Sequence, residues 1–180
     1  NALKGLGVAR GDRVATLAWN TGRHLEAWYG IMGIGAVCHT LNPRLSPEQL
    51  CYIIADAGDR MILADGIFAP LVEKLLPRCP AVDTLIVMDD ERWEAFLSSG
   101  EGQKPRWGDF PETSPAGLCY TSGTTGNPKG VLYTHRSNYL HCMTSLQPDV
   151  MGIAASEVVL PVVPMFHANA WGVTFSGAAV

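Results

Sequence analysis

Apolar residues recur along this chain in short runs of period two, and these runs alternate with longer stretches whose apolar residues share one helical face. The run at 12–18, Asp-Arg-Val-Ala-Thr-Leu-Ala, predicts a strand. The stretch 21–38 follows and places Leu25, Trp28, Tyr29 and Met32 on one face of a helix. Gly30, Gly33 and Gly35 are costly inside a helix, so their expected use is close approach of a neighbouring element. Ser46-Pro47-Glu48-Gln49 predicts a helix start. Ser46 can cap, Pro47 suits the first helical position, and Gln49 can complete a capping box for a helix running to about Ala57. A strand at 61–64, a helix at 68–76 ended by Pro77, and a strand at 84–88 continue the alternation.

Between 89 and 115 the pattern dissolves into charged residues, Gly and Pro, while Trp93, Phe96 and Trp107 give the segment a means of packing back on the body. It reads as a surface excursion with room for one short helix. A strand at 116–121 then returns and delivers the chain into a glycine- and hydroxyl-rich loop. This alternation predicts an α/β layer structure, a largely parallel sheet flanked by helices.

Composition narrows the function classes. A net charge of −4 offers no basic face to neutralise a phosphate backbone, which argues against nucleic acid as a partner. No apolar stretch is long enough to span a bilayer, and the start of the chain lacks a signal-peptide layout, so a soluble, cytoplasmic protein is expected. Cys38, Cys51, Cys79, Cys119 and Cys142 are scattered without a C-x-x-C pair and are expected as buried thiols. The start at Asn1 and the uncapped apolar run up to Val180 suggest one part of a larger domain.

The chemistry concentrates in Thr121-Ser-Gly-Thr-Thr-Gly-Asn-Pro-Lys-Gly130. Its glycines admit positive φ and close backbone approach, successive N–H groups can form an anion-binding concavity, and Thr121, Ser122, Thr124, Thr125 and Lys129 add donors and charge. Most Gly/Ser/Thr-rich loops are ordinary turns. Here the fixed Pro128-Lys129-Gly130 ending and the β-prone runs on both sides favour a phosphate cradle. The phosphoryl-transfer pattern G-x-x-x-x-G-K-[ST] fails, because Pro128 stands at its second glycine and Gly130 at its Ser/Thr. The dinucleotide pattern fails as well, with Cys38 where a third glycine should follow Gly33 and Gly35.

The run 120–136 resembles the signature loop of the adenylate-forming (AMP-binding) superfamily, matching [STG]-[STAG]-G-[ST]-[STEI]-[SG]-x-[PASLIVM]-[KR] at every position through Lys129. The stretch 30–43 resembles that family's early helix-to-strand motif, and Pro164-Met-Phe-His-Ala-Asn-Ala-Trp171 its substrate-pocket motif, closest to the fatty-acyl-CoA synthetase branch. The resemblance implies an incomplete large N-terminal domain of a fatty-acid–CoA ligase. It uses ATP with Mg2+, a fatty acid, and coenzyme A as co-substrate, and a homodimer is compatible with it. In that likeness Thr121, Ser122, Gly123, Thr124, Thr125, Gly126 and Lys129 hold phosphate, with the Thr121 hydroxyl facing the metal. His167 positions the carboxylate or acyl-adenylate, and Trp171 stands by the acyl chain.

Family motifs expected further along, an acidic Mg2+ motif, a ribose-binding aspartate and a small C-terminal domain with an adenylation lysine, are not in the 180 residues. On this likeness the chain alone is expected to be inactive. Adenylation of aromatic or amino acids, and a non-catalytic nucleotide-binding module, stand as alternatives. His135, Arg136 and His141 are expected in capping or solvated roles. Turn formation before Pro43 explains Asn42, and His39 falls in the early motif as a candidate pocket wall.

Overall fold

The computed structural model describes residues 1–88, 91–102, 104, 106–121 and 127–180. Its six described strands, β1 (Arg13–Leu17), β2 (Val37–Thr40), β3 (Met61–Ala64), β4 (Thr84–Val87), β5 (Pro115–Thr121) and β6 (Lys129–Thr134), form one sheet in the order β4-β3-β1-β2-β5-β6. All neighbours pair in parallel except β5 and β6, which are antiparallel. The helices are α1 (Ala2–Gly5), α2 (Gly22–Gly33), α3 (Pro47–Ala57), α4 (Ala69–Leu75), α5 (Glu91–Ser98), α6 (His135–Ser145) and α7 (Val173–Ser176). The α/β sheet predicted from the alternation is the one found.

Both faces of the parallel strands are covered, so they read as nearly continuous apolar runs. Val14, Cys38, Met61 and Leu63 point toward the layer that holds Trp28 and Ile31 of α2 and Trp93 of α5. Ala15, Leu17, Ile62 and Ala64 point the other way, onto Leu50, Ile53 and Ile54 of α3 and Val72 and Leu75 of α4. Burying one such Leu or Ile contributes about 2 kcal/mol.

The start of α3 follows its sequence signal. Ser46 Oγ accepts from the Gln49 N–H at 3.2 Å, Gln49 Oε1 accepts from the Ser46 N–H at 3.1 Å, and Gly58 closes the helix in the left-handed region at φ 68°.

The helix expected over 21–38 stops at Gly33, because Gly35 turns the chain at φ 81° and Val37 enters β2 beside β1. Among the three glycines singled out, Gly33 has the ring of Trp107 where a Cβ would stand, and Phe110 Cδ1 lies 2.8 Å from the Cβ position of Gly35. The close approach is therefore made by the segment after α5. Nothing from another element lies within 4 Å of the Cβ position of Gly30 among the described residues. All five cysteines are buried free thiols.

Candidate functional site

Thr121 ends β5 and Lys129 begins β6, and the two are the last register partners of the antiparallel pair. The candidate cradle leaves and re-enters the sheet at this pair, where the Thr121 hydroxyl donates to the Lys129 carbonyl at 3.4 Å. Ser122, Gly123, Thr124, Thr125 and Gly126 lie outside the described residues.

Beyond the carboxyl ends of β2 and β5 opens a cavity of about 380 Å³. Open α/β sheets bind ligands in this position. Asn42 and Arg44 line it after β2, Tyr120 and Thr121 at the end of β5, and Phe166 and His167 from the later segment. Asn42 is held by its turn, its Oδ1 accepting from the Arg44 N–H at 2.9 Å. Arg44 brings a cation to the rim, its guanidinium carbon 5.8 Å from the Trp19 ring centroid and 5.7 Å from that of Phe166. The fold thus brings Thr121 and His167 together on one cavity. Trp171 and the Lys129 side chain are exposed and do not line it.

His167 is placed by an uncommon backbone. Ala168, Asn169, Ala170 and Trp171 all have φ between 44° and 54°, and Gly172 continues at 73°. Each non-glycine residue in that region costs about 1–2 kcal/mol, so the turn must be held by its surroundings. The buried Asn169 accepts from Cys119 Sγ of β5 at 3.1 Å, and His141 Nε2 donates to the Trp171 carbonyl at 2.9 Å. His141 is exposed, as expected of a solvated residue, and it also brackets this turn. His135 differs from that expectation. Its ring lies 4.7 Å from Phe110, its Nε2 is buried without a partner among the described residues, and burial lowers its pKa.

A second polar arrangement lies behind Tyr120. His39 Nδ1 donates to Asp59 Oδ2 at 2.7 Å, and both side chains are fully buried. Burial pushes the Asp59 carboxyl up, partly opposed by His39. The Tyr120 ring lies 5.1 Å from that of His39, and its hydroxyl donates to Asp56 Oδ2 at 2.6 Å. Burial and then Asp56 raise the Tyr120 phenol. His39 thus lies behind the cavity wall, which Tyr120 itself forms. Sequence reasoning missed Arg44, Tyr120 and Asp59. Arg44 immediately follows the early motif that ends at Pro43, and Tyr120 is the first residue of the run that resembles the signature loop, so proximity to those motifs was the available signal.

Among the described residues no cluster of three or more His, Cys, Asp or Glu could hold a metal. The donors that line the cavity, the Thr121 hydroxyl and the Arg44 guanidinium, suit an anion that arrives with its own cation. No described helix is long and apolar enough to cross a membrane.

A cavity past the carboxyl ends of parallel strands, with Thr121 and Lys129 flanking the signature stretch beside it, is the arrangement of an α/β nucleotide-binding domain. The chain belongs to the AMP-binding enzyme family, whose model matches residues 1–180. It is 47% identical over 190 residues to the 3-methylmercaptopropionyl-CoA ligase of Ruegeria pomeroyi, covering 99% of this chain and 35% of that one. It is 44% identical over 192 residues to the medium-chain-fatty-acid–CoA ligase of Ectopseudomonas oleovorans, covering 100% of this chain and 35% of that one. Among solved structures it resembles the inhibitor-bound N-terminal domain of FACL13 from Mycobacterium tuberculosis, with a TM-score of 0.86 and 29% identity over 98% of this chain and 44% of that one. The chain spans about a third of the length of the curated relatives it matches.

Proposed function

We propose that the protein to which this chain belongs is a cytoplasmic enzyme that activates a fatty acid with ATP and passes the acyl group to coenzyme A. The observation that carries this reading is the single cavity onto which Thr121, at the mouth of the signature loop, and His167 both open. A carboxylate oxygen attacks the α-phosphorus of ATP, forming the acyl-AMP bond as the bond to the pyrophosphate oxygen breaks. The coenzyme A thiol then adds to the acyl carbonyl, loses its proton, and AMP leaves.

In this reading Thr121, Ser122, Gly123, Thr124, Thr125, Gly126 and Lys129 hold the β- and γ-phosphates, whose charge grows as pyrophosphate departs. A Mg2+ ion bound with the nucleotide would neutralise part of that charge, with the Thr121 hydroxyl as one oxygen ligand. His167 donates to the acid carboxylate and holds it at the cavity wall, while Trp171 stands on the acyl side of the turn. The relatives named for 3-methylmercaptopropionate and medium-chain fatty acids support an unbranched aliphatic acid over an aromatic or amino acid.

The test is acid-dependent exchange of pyrophosphate into ATP by the complete protein over a panel of aliphatic, aromatic and amino acids. Exchange should be fastest with aliphatic acids, and Lys129→Ala should lower it by about tenfold or more without changing the melting temperature. Exchange driven best by aromatic or amino acids would replace the acid class, and binding of ATP without any exchange would leave a nucleotide-binding module.

A further inference from the structure

The His39–Asp59 pair is a costly feature whose purpose the proposed chemistry does not state. Two ionisable groups lie fully buried, joined at 2.7 Å, yet His39 Nε2 and Asp59 Oδ1 have no partner among the described residues. Leaving such atoms unsatisfied costs stability, and an apolar pair of similar volume would serve packing at least as well. What the pair does accomplish is geometric. Asp59 follows the left-handed cap Gly58, whose carbonyl, like that of Ala57, is gripped by the Arg13 guanidinium of β1 at 3.2 and 2.7 Å. From this fixed point Asp59 orients the His39 ring on β2. That ring backs Tyr120, which Asp56 of α3 holds from its hydroxyl end at 2.6 Å. Across the antiparallel pair Gly130 leaves the Tyr120 ring its space, since a Cβ there would stand 3.3 Å from the ring. Tyr120 is the residue before Thr121, where the loop departs, and is itself a wall of the cavity.

We propose that the buried His39–Asp59 pair is a positioning device for the loop: it fixes the ring of Tyr120, and through it the departure of the chain at Thr121 and one wall of the nucleotide cavity. This rests on reading that cavity as the nucleotide site. None of the three is a catalytic residue. Their effect falls on how well the loop is arranged for ATP before it binds, so it belongs in KM for ATP more than in kcat or in KM for the acid.

The experiment uses the complete protein with three variants: Asp59→Asn, Tyr120→Leu, and the double apolar replacement His39→Leu with Asp59→Leu. Pyrophosphate exchange gives kcat and both KM values, thermal melting gives stability, and amide NMR follows Thr121 and Lys129 without nucleotide. Each variant should raise KM for ATP about tenfold, with kcat and the acid KM within about twofold, and should shift the Thr121 amide. The double variant should recover melting temperature relative to Asp59→Asn while KM for ATP stays raised. A double variant with wild-type KM for ATP would make the pair a packing feature and overturn the proposal. Should the buried variants fail to fold, Tyr120→Leu, which removes the ring on which the pair acts, decides: unchanged KM for ATP overturns the proposal. A wild-type protein with no ATP exchange would remove the functional reading instead, and the Thr121 amide would then decide, since no shift in any variant would dismiss the positioning role.

Discussion

His24 lies in the first turn of α2 with its side chain fully buried, and the two nitrogens of its ring are both used. Nδ1 donates to the Trp19 carbonyl at 2.9 Å, so in the neutral ring Nε2 accepts from the Thr16 hydroxyl at 2.9 Å. Protonating Nε2 would turn that bond round, with Thr16 Oγ1 accepting, but would place a charge inside a dry layer. Burial accordingly lowers its pKa from 6.5 to about 4. The folded state therefore takes this proton later than the unfolded state does. The stability it contributes is complete above about pH 6.5 and is lost as pH falls toward 4, about 3 kcal/mol over that window. Asp59, whose carboxyl is raised, works with opposite sign and gains from acidification, so the wild-type curve alone does not isolate His24. Urea unfolding of the wild type and His24→Leu at pH 7 and pH 4.5 separates them. The variant should be less stable at pH 7, and the gap between the two should narrow at the lower pH. A constant gap would show that His24 is not the group titrating. Nothing in the apolar spacing of 21–38 marks His24, because its partners Thr16 and Trp19 come from β1 and the turn after it. The same holds for Asp59, which as sequence is one carboxylate after a helix end and acquires a role only when β2 lays His39 against it.

Elements were more legible than their ends. Period-two runs identified β1, β3, β4 and β5, and the capping grammar of Ser46-Pro47-Glu48-Gln49 identified α3, since these signals are local in the chain. The end of α2 at Gly33 was not local, being set by the demand of β2 for a place beside β1. The turn after His167 shows the limit most clearly. Ala-Asn-Ala-Trp carries no glycine to announce a left-handed course, and the conformation exists because Cys119 and His141 hold it from other elements. Gly172 is the exception, because at φ 73° it both favours the turn and leaves room for the His141 ring, whose Cδ2 and Nε2 would meet an added Cβ. Gly172→Ala should therefore cost about 2 kcal/mol in urea unfolding, combining left-handed strain with loss of the His141 to Trp171 bond. If the clash acts through that ring, the double variant Gly172→Ala with His141→Ala should cost less than the sum of the two singles. Strict additivity would place the effect of Gly172 in the backbone alone.

At the scale of the whole molecule, the residues that would do chemistry face water. His167 and Lys129 are exposed. Hydrogen bonds and charges aimed at phosphate are worth far less in contact with bulk water than in an enclosed site, where solvent does not compete for each donor. The apolar surface tells the same story. Leu132 on β6 and Leu140 on α6 are each 54% exposed, with Tyr139 and Met143 beside Leu140 on the same helix, and β6 pairs only with β5 among the described strands. An edge strand and helix of this kind invite association. The 180-residue chain by itself should therefore enhance the fluorescence of an apolar dye and associate as its concentration rises, and Leu140→Glu should reduce both. It should also form no measurable acyl-AMP from ATP and a medium-chain acid under conditions in which the complete protein turns over, because Lys129 and His167 would act in contact with bulk water. Turnover comparable to the complete protein would mean that the cavity described here is closed enough to stabilise the departing pyrophosphate unaided, and the case for enclosure as the missing ingredient would fall with it.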